Sequence, residues 1–152
     1  MRKFSFFARL LFLSFLLFST LQAVEMDWGH DYNSALEQAK KEHKLVYLFI
    51  GADRCRFCKK FKNMTLSKEG VVPRMRKNFV LLFMSRDQHK IPDKFERYGV
   101  PRHYFLTPQG EIIRTEQGIW DVQGWYTILD EVLAEREDGA APESDESSTI
   151  ER

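Results

Sequence analysis

A chain of 152 residues has room for one domain of ordinary size, and 43% hydrophobic with 30% charged residues is an ordinary globular composition. The formal net charge of +1 lacks the basic excess of a dedicated nucleic-acid binder, so no nucleic acid is expected as a partner. Aromatics reach 14%, but several of the 13 Phe lie in the first eighteen residues, so the rest of the chain is less unusual than the total suggests.

The chain opens "MRKFSFFARLLFLSFLLFSTLQA": Arg2, Lys3 and Arg9, an apolar run of 12 residues from Leu10 to Leu21, then Ala23. Basic start, apolar middle and small residue form the order of a secretory leader, so residues 1–23 read as a signal peptide. The run is shorter than the roughly 18 to 20 residues that cross a bilayer, and an uncleaved membrane anchor is the alternative. Both predict export, with the periplasm as the expected compartment. Removing residues 1–23 leaves 20 basic and 22 acidic side chains. The last segment, Glu137 to Arg152, holds six acids and one base and is rich in Ser. It cannot bury enough apolar surface to offset ordering, so 137–152 reads as a disordered acidic tail. The body, 24–136, is then about +3.

Within the body, Tyr32, Ala35, Leu36 and Ala39 recur at helical spacing behind Asp31, a plausible cap. "LVYLFI" (45–50) reads as a strand buried on both faces. Phe57, Phe61 and Met64 recur at helical spacing, placing Cys58 in the first turns of a helix. Gly70 and Pro73 leave 67–78 ambiguous, with a short helix starting near Pro73. "FVLLFM" (79–84) reads as a second buried strand, and "IPDKFERYG" (91–99) as a short helix. "HYFLT" and "EIIRT" flank Pro108-Gln109-Gly110 as a hairpin. Trp125, Ile128, Leu129, Val132 and Leu133 form one stripe of a final helix capped by Asp121. Alternating helices and strands predict an α/β domain, a central sheet with parallel strands covered by helices on both faces.

The only two cysteines, Cys55 and Cys58, stand three apart directly after the first strand. As a staple they would close a loop of four residues, worth roughly 2 kcal/mol against about 3 for a fifteen-residue loop. As a zinc site they lack partners: His43 falls at a polar helix end, His30, His89 and His103 read as element-edge residues, and none has a ligand at the usual spacing, so no metal and no cofactor is expected. Covalent haem is excluded because Lys59, not His, follows the pair. Redox chemistry needs a thiolate near neutral pH. An exposed Cys55 just before a helix would meet unpaired N–H groups and the positive end of the dipole, with Arg54, Arg56 and Lys59 adding charge to tune its pKa. Cys58, one turn in, would resolve a mixed disulfide by attacking Cys55.

A CxxC pair at a strand-to-helix junction, with "YGVPRHYFLTPQGEIIR" 40 or so residues on, resembles the thioredoxin superfamily over roughly 27–135. The resemblance implies a thioredoxin fold, with a central mixed β-sheet flanked by helices. It implies that Pro101 is the cis proline opposite the cysteines. It also makes Val100 and Pro101, beside Arg56 and Phe57, the contacts for an extended substrate. The sequence is similar to exported bacterial proteins of this kind, including the C-terminal domain of the electron-transfer protein DsbD. That implies a monomeric thiol–disulfide oxidoreductase acting on protein thiols and disulfides, served by a membrane electron donor of the DsbD type. A reductase of exported proteins is the expectation, with an oxidase or isomerase, or a client-binding chaperone module, as alternatives. Phe57, Val100 and Trp120 would form the client-binding edge, with Trp120 equally readable as a core residue. The family pattern is broken at three places: Arg54 replaces the usual Trp, Arg56-Phe57 replaces Gly-Pro, and Phe49 stands where a buried Asp would help deprotonate the second cysteine. The proton acceptor for Cys58 is therefore unassigned. Asp53 is nearer in sequence but is expected to be exposed.

Overall fold

The computed structural model describes residues 28–139 of the chain. The signal-peptide reading of 1–23 lies outside them, as does most of the acidic tail. The order is α1 (Tyr32–Glu42), β1 (Leu45–Gly51), α2 (Arg56–Phe61), a π-helical turn (Lys62–Leu66), α3 (Val71–Asn78), β2 (Phe79–Ser85), β3 (Arg102–Leu106), β4 (Ile112–Gln117) and α4 (Val122–Gly139). α4 thus runs three residues past the expected domain boundary at 136.

The four strands form one mixed sheet in the order β2-β1-β3-β4. β1 runs parallel to β2 (Leu48 opposite Leu82) and antiparallel to β3 (Leu48 opposite Tyr104). β1 is therefore paired on both edges, and all seven of its residues are buried. This is why its sequence shows a continuous apolar run with no polar alternation. Period-two geometry divides it between two layers. Leu45, Tyr47 and Phe49 face a cluster with Phe61, Met75, Phe105 and Trp125, under α2, α3 and α4. Val46, Leu48 and Ile50 face Ala35, Ala39, Phe95 and Leu106, under α1. Before α1, Gly29 adds one bridge to the outer edge of β2, with its N–H donating to Leu81 O (2.9 Å) and its carbonyl accepting from Phe83 N–H (2.9 Å).

The expected caps are present. Asp31 accepts from Ser34 N–H at 2.8 Å, and Asp121 accepts from Gly124 N–H at 2.7 Å. α3 begins two residues ahead of Pro73, after Gly70 at φ 82°. Pro73 then falls in the first turn, where its missing N–H costs nothing. Two expectations fail. Residues 91–99 form turns, not a helix. Ile91 and Phe95 are buried at helical spacing, but Lys94 Nζ donates to Gly110 O outside the segment (2.7 Å) and Tyr98 N–H to Glu96 Oε1 within it (2.8 Å). Cys58 lies in the first turn of α2, as expected. Of Phe57, Phe61 and Met64, only Phe61 enters the core; Phe57 is 51% and Met64 40% exposed. The π turn is the reason for Met64: it adds a residue to the turn and swings Thr65 and Leu66 inward instead.

The second failure is His103, read as an edge residue but wholly buried. Its ring packs against Phe61 (4.8 Å between centroids), Trp125 (5.2 Å) and Phe49 (5.4 Å). Its polar atoms are satisfied: Nε2–H donates to Gly118 O (2.9 Å), and Nδ1 accepts from the Tyr47 hydroxyl (2.8 Å). The Gly118 carbonyl fixes the tautomer, since it can only accept. Burial drives the imidazole pKa from 6.5 to about 4.

Because the unfolded imidazole titrates at its ordinary value, the stability held by neutral His103 is complete above pH 6.5 and is lost as pH falls towards about 4. The shift corresponds to about 3 kcal/mol across that window. Urea unfolding of the native protein and of His103→Phe at pH 7, 6, 5 and 4 should show a one-proton pH slope in the first that is missing from the second. Parallel slopes would show that His103 does not stay neutral in the fold.

Candidate active site

β1 ends at Gly51, and a short loop carries the chain to Cys55, the N-cap of α2. Cys55 and Cys58 are joined as a disulfide, with Cα atoms 5.2 Å apart. The Cys58 N–H points at Cys55 Sγ at 3.0 Å. On reduction that N–H, at the start of a helix, faces the sulfur of Cys55 and favours its charged form. Sulfur, unlike the carboxylate or hydroxyl of an ordinary cap, here both ends the helix and carries the chemistry.

Cys55 is less open than the sequence led us to expect. It is 7% exposed against 4% for Cys58. The cover comes from the loop before β3, where Val100 O lies 3.9 Å from Cys55 Sγ. The oxidised sulfur has no proton, so this is a contact and not a hydrogen bond. The Val100–Pro101 peptide is cis. Pro101 is buried, and its carbonyl accepts from Gly118 N–H at 2.9 Å. His103, two residues on, holds the Gly118 carbonyl from the core side. Gly118 is thereby tied at both its N–H and its C=O to the strand that carries Pro101.

Beside the disulfide, Phe57, Val100, Pro101 and Ile119 line a shallow apolar depression of about 350 Å³, with Gly99, Gln117 and Gly118 at its rim. The expected edge of Phe57, Val100 and Trp120 is corrected at one position. Ile119 takes the place of Trp120, which is half-buried against the core and gives its carbonyl to the Thr65 hydroxyl. Sequence reasoning missed Ile119 and Gly118. They come from the loop after β4, and only the hairpin pairing of β3 with β4 brings that loop to the cysteines.

Arg54, Arg56 and Lys59 are exposed around the pair. Among the described residues none of the three has a carboxylate partner. Arg56 stacks its guanidinium 5.4 Å from the Phe57 ring centre. These charges act through solvent, where salt screens them. Asp53 is exposed as expected, and its carboxylate accepts from Gln88 (2.8 Å) and Ser85 (2.7 Å), which lower its pKa. Phe49 is fully buried where an acid would have served, ringed by Phe61, Phe83 and His103. Among the described residues there is no cluster of His, Cys, Asp and Glu able to hold a metal.

Comparison with known proteins agrees with this geometry. The chain is 26% identical over 119 residues to spermatogenesis-associated protein 20 of Rattus norvegicus, covering 68% of this chain but 15% of that protein. It is 26% identical over 71 residues to an uncharacterized protein of Archaeoglobus fulgidus, covering 47% of this chain and 56% of that one. The chain thus spans only a part of these relatives. Among solved structures, a DsbH oxidoreductase superposes with a TM-score of 0.58 at 18% identity, covering 76% of this chain and 89% of the other. The oxidised C-terminal domain of DsbD from Neisseria meningitidis gives 0.55 at 20% identity, with coverages of 68% and 97%. At such identities the superpositions speak for the fold. The sequence model of the thioredoxin-like family matches residues 27–108, more than half of the chain, and spans both cysteines and Pro101. The protein therefore belongs to the thioredoxin-like family, and its Cys55–Cys58 disulfide lies inside the matched segment.

Proposed function

We propose that this thiol–disulfide oxidoreductase works in the reducing direction on disulfides of exported proteins, in the periplasm, as a monomer recharged by a membrane dithiol donor. The observation that carries the reading is the closed Cys55–Cys58 disulfide facing Val100 and Pro101 beside an apolar depression. The depression fits the apolar side chains of an extended client segment, and the free backbone of Val100 lies where such a segment would pair. Residues 1–23 act as the export signal, residues 24–136 as the redox domain and the acidic residues that follow as a tail. Among the described residues no helix is long and apolar enough to cross a membrane, so anchoring would depend on the leader.

The chemistry is a two-step exchange. Cys55 thiolate attacks one sulfur of the client disulfide, forming a mixed disulfide and releasing the second client sulfur as a thiolate that takes up a proton. Cys58, deprotonated, attacks Cys55 and releases the first client sulfur. Two electrons pass to the client, and the pair is left as the disulfide seen here. The donor then reduces it by the reverse exchange. Arg54, Arg56 and Lys59 favour the Cys55 thiolate, while Phe57, Val100 and Pro101 hold the client.

Direction is decided by the reduction potential against glutathione. A reductase should lie near −270 mV or below, whereas a value near −120 mV would identify an oxidase. Cys55→Ser should lose disulfide reduction completely, and Cys58→Ser should accumulate mixed disulfides with exported proteins that mass spectrometry can identify. Retention of client effects by Cys55→Ser would make the protein a binding module instead. Ile119→Asp places a charge in the depression; it should raise KM for a disulfide-containing peptide about tenfold, the loss of roughly one apolar contact, and leave the reduction potential unchanged.

A further inference from the structure

In the reducing direction Cys58 must lose a proton before its sulfur can attack Cys55. It is 4% exposed, and such burial opposes the thiolate. The neighbouring strand offers Phe49 in place of an acid, and the Asp53 carboxylate is engaged by Ser85 and Gln88. The cation that the fold turns inward on this side of the pair is Lys62. It follows Cys58 by four residues and so shares its helix face. It sits where α2 passes into the π turn, and it is half-buried while Lys59, Lys60 and Asn63 beside it are exposed.

Its Nζ lies 4.1 Å from the centre of the Phe83 ring and 5.5 Å from that of Phe49. The Phe83 ring and the Cys58 sulfur both border Gly51. A Cβ built on Gly51 would stand 2.9 Å from the Phe83 ring edge and 3.6 Å from Cys58 Sγ. Glycine at position 51 is what lets ring and sulfur approach. Two aromatic faces favour the ammonium, but they supply no counter-charge. Among the described residues Lys62 has no carboxylate partner. Burial lowers its pKa, which brings the neutral amine closer to working pH. The other titratable groups on these two rings are His103, packed on Phe49 and bonded at both nitrogens, and His30, whose ring centre is 6.1 Å from that of Phe83 and whose Nδ1 donates to Phe83 O.

We propose that Lys62 is the proton acceptor for Cys58, standing in for the acid that position 49 lacks. This inference rests on the redox reading of the pair. In the mixed disulfide, the Cys58 S–H bond breaks and an N–H bond forms on the neutral Lys62 amine. The thiolate, held by the new ammonium, forms the S–S bond to Cys55, and the electron pair of the broken mixed disulfide leaves on the client sulfur. The ammonium gives up its proton to that sulfur or to water.

The test uses a Cys55→Ser background, in which Cys58 is the single thiol, and follows its thiolate absorbance near 240 nm against pH. Lys62→Met keeps the stem without the amine and should raise the Cys58 pKa by about one unit or more. An unchanged titration in a variant that melts like its parent overturns the proposal. A second measurement needs no substitution at Lys62. In the native protein the Lys62 Cε resonance should shift its titration when the pair is reduced, because amine and thiol then share a proton equilibrium. A Lys62 titration identical in the oxidised and reduced protein overturns it as well. Neither readout involves a client, so the absence of client reduction would refute the reductase reading separately.

Discussion

Everything at the redox centre depends on a single constraint on β1: it is hydrogen-bonded on both edges and covered on both faces. A strand so placed has no freedom to slide, since a one-residue slip would exchange its two side-chain layers. Its end at Gly51 is therefore a fixed point, and the cysteines, four and seven residues on, inherit that position. The partner on one edge is β3, whose first residue follows Pro101 directly. The same strand that delivers the sulfurs thus holds the loop that covers them. The cysteines and the opposing proline stand at the same end of one ladder, where Ile50 lies opposite Arg102.

The layer behind the pair is aromatic, with Phe49 in place of an acid. Tyr47, Phe49, Phe61, Phe105 and Trp125 pack edge-to-face or tilted against one another, and Tyr47 and Phe49 stack on the His103 ring. Such pairs add to their area burial on the inner side of Cys58. His103, in the midst of this layer, is satisfied on both nitrogens and held neutral. It is a positioning residue: it reaches from β3 to Gly118 and so keeps the Ile119 loop beside Pro101. A dry, neutral wall of this kind makes any charge nearby count for more, because low polarity strengthens the interaction between thiolate and cation.

Around this wall the charges are arranged by exposure. Arg54, Arg56 and Lys59 stand in solvent, where their effect on sulfur is broad and screened. Lys62 is half-buried over two buried or half-buried rings, whereas Arg56 lies on the exposed Phe57. The π turn that begins at Lys62 buries Thr65, whose hydroxyl ties the helix to Trp120 ahead of α4. A one-residue irregularity next to the cysteines therefore sets the docking of the last helix.

The chemistry of the pair was legible in the sequence. A three-residue cysteine spacing after a wholly apolar run, with turn residues and a proline at the right distance downstream, already pointed to a redox pair on a mixed sheet. The caps Asp31 and Asp121 were legible for the same reason: each acts within its own turn. What stayed hidden depends on contacts between distant segments. His103 looked like an edge residue because nothing local marks a histidine whose partners are Tyr47 and Gly118. Residues 91–99 carry helical spacing, yet their polar groups are claimed by Gly110 and by a local carboxylate. Ile119 reaches the cysteines only through the β3–β4 pairing, and Lys62 is half-buried only because β1 and β2 bring the Phe49 and Phe83 rings together under it. Local sequence determined which atoms could react. The long-range packing of β1, β3 and the loops around them decided which groups surround those atoms, since burial and approach are properties of the assembled layers and not of any one segment.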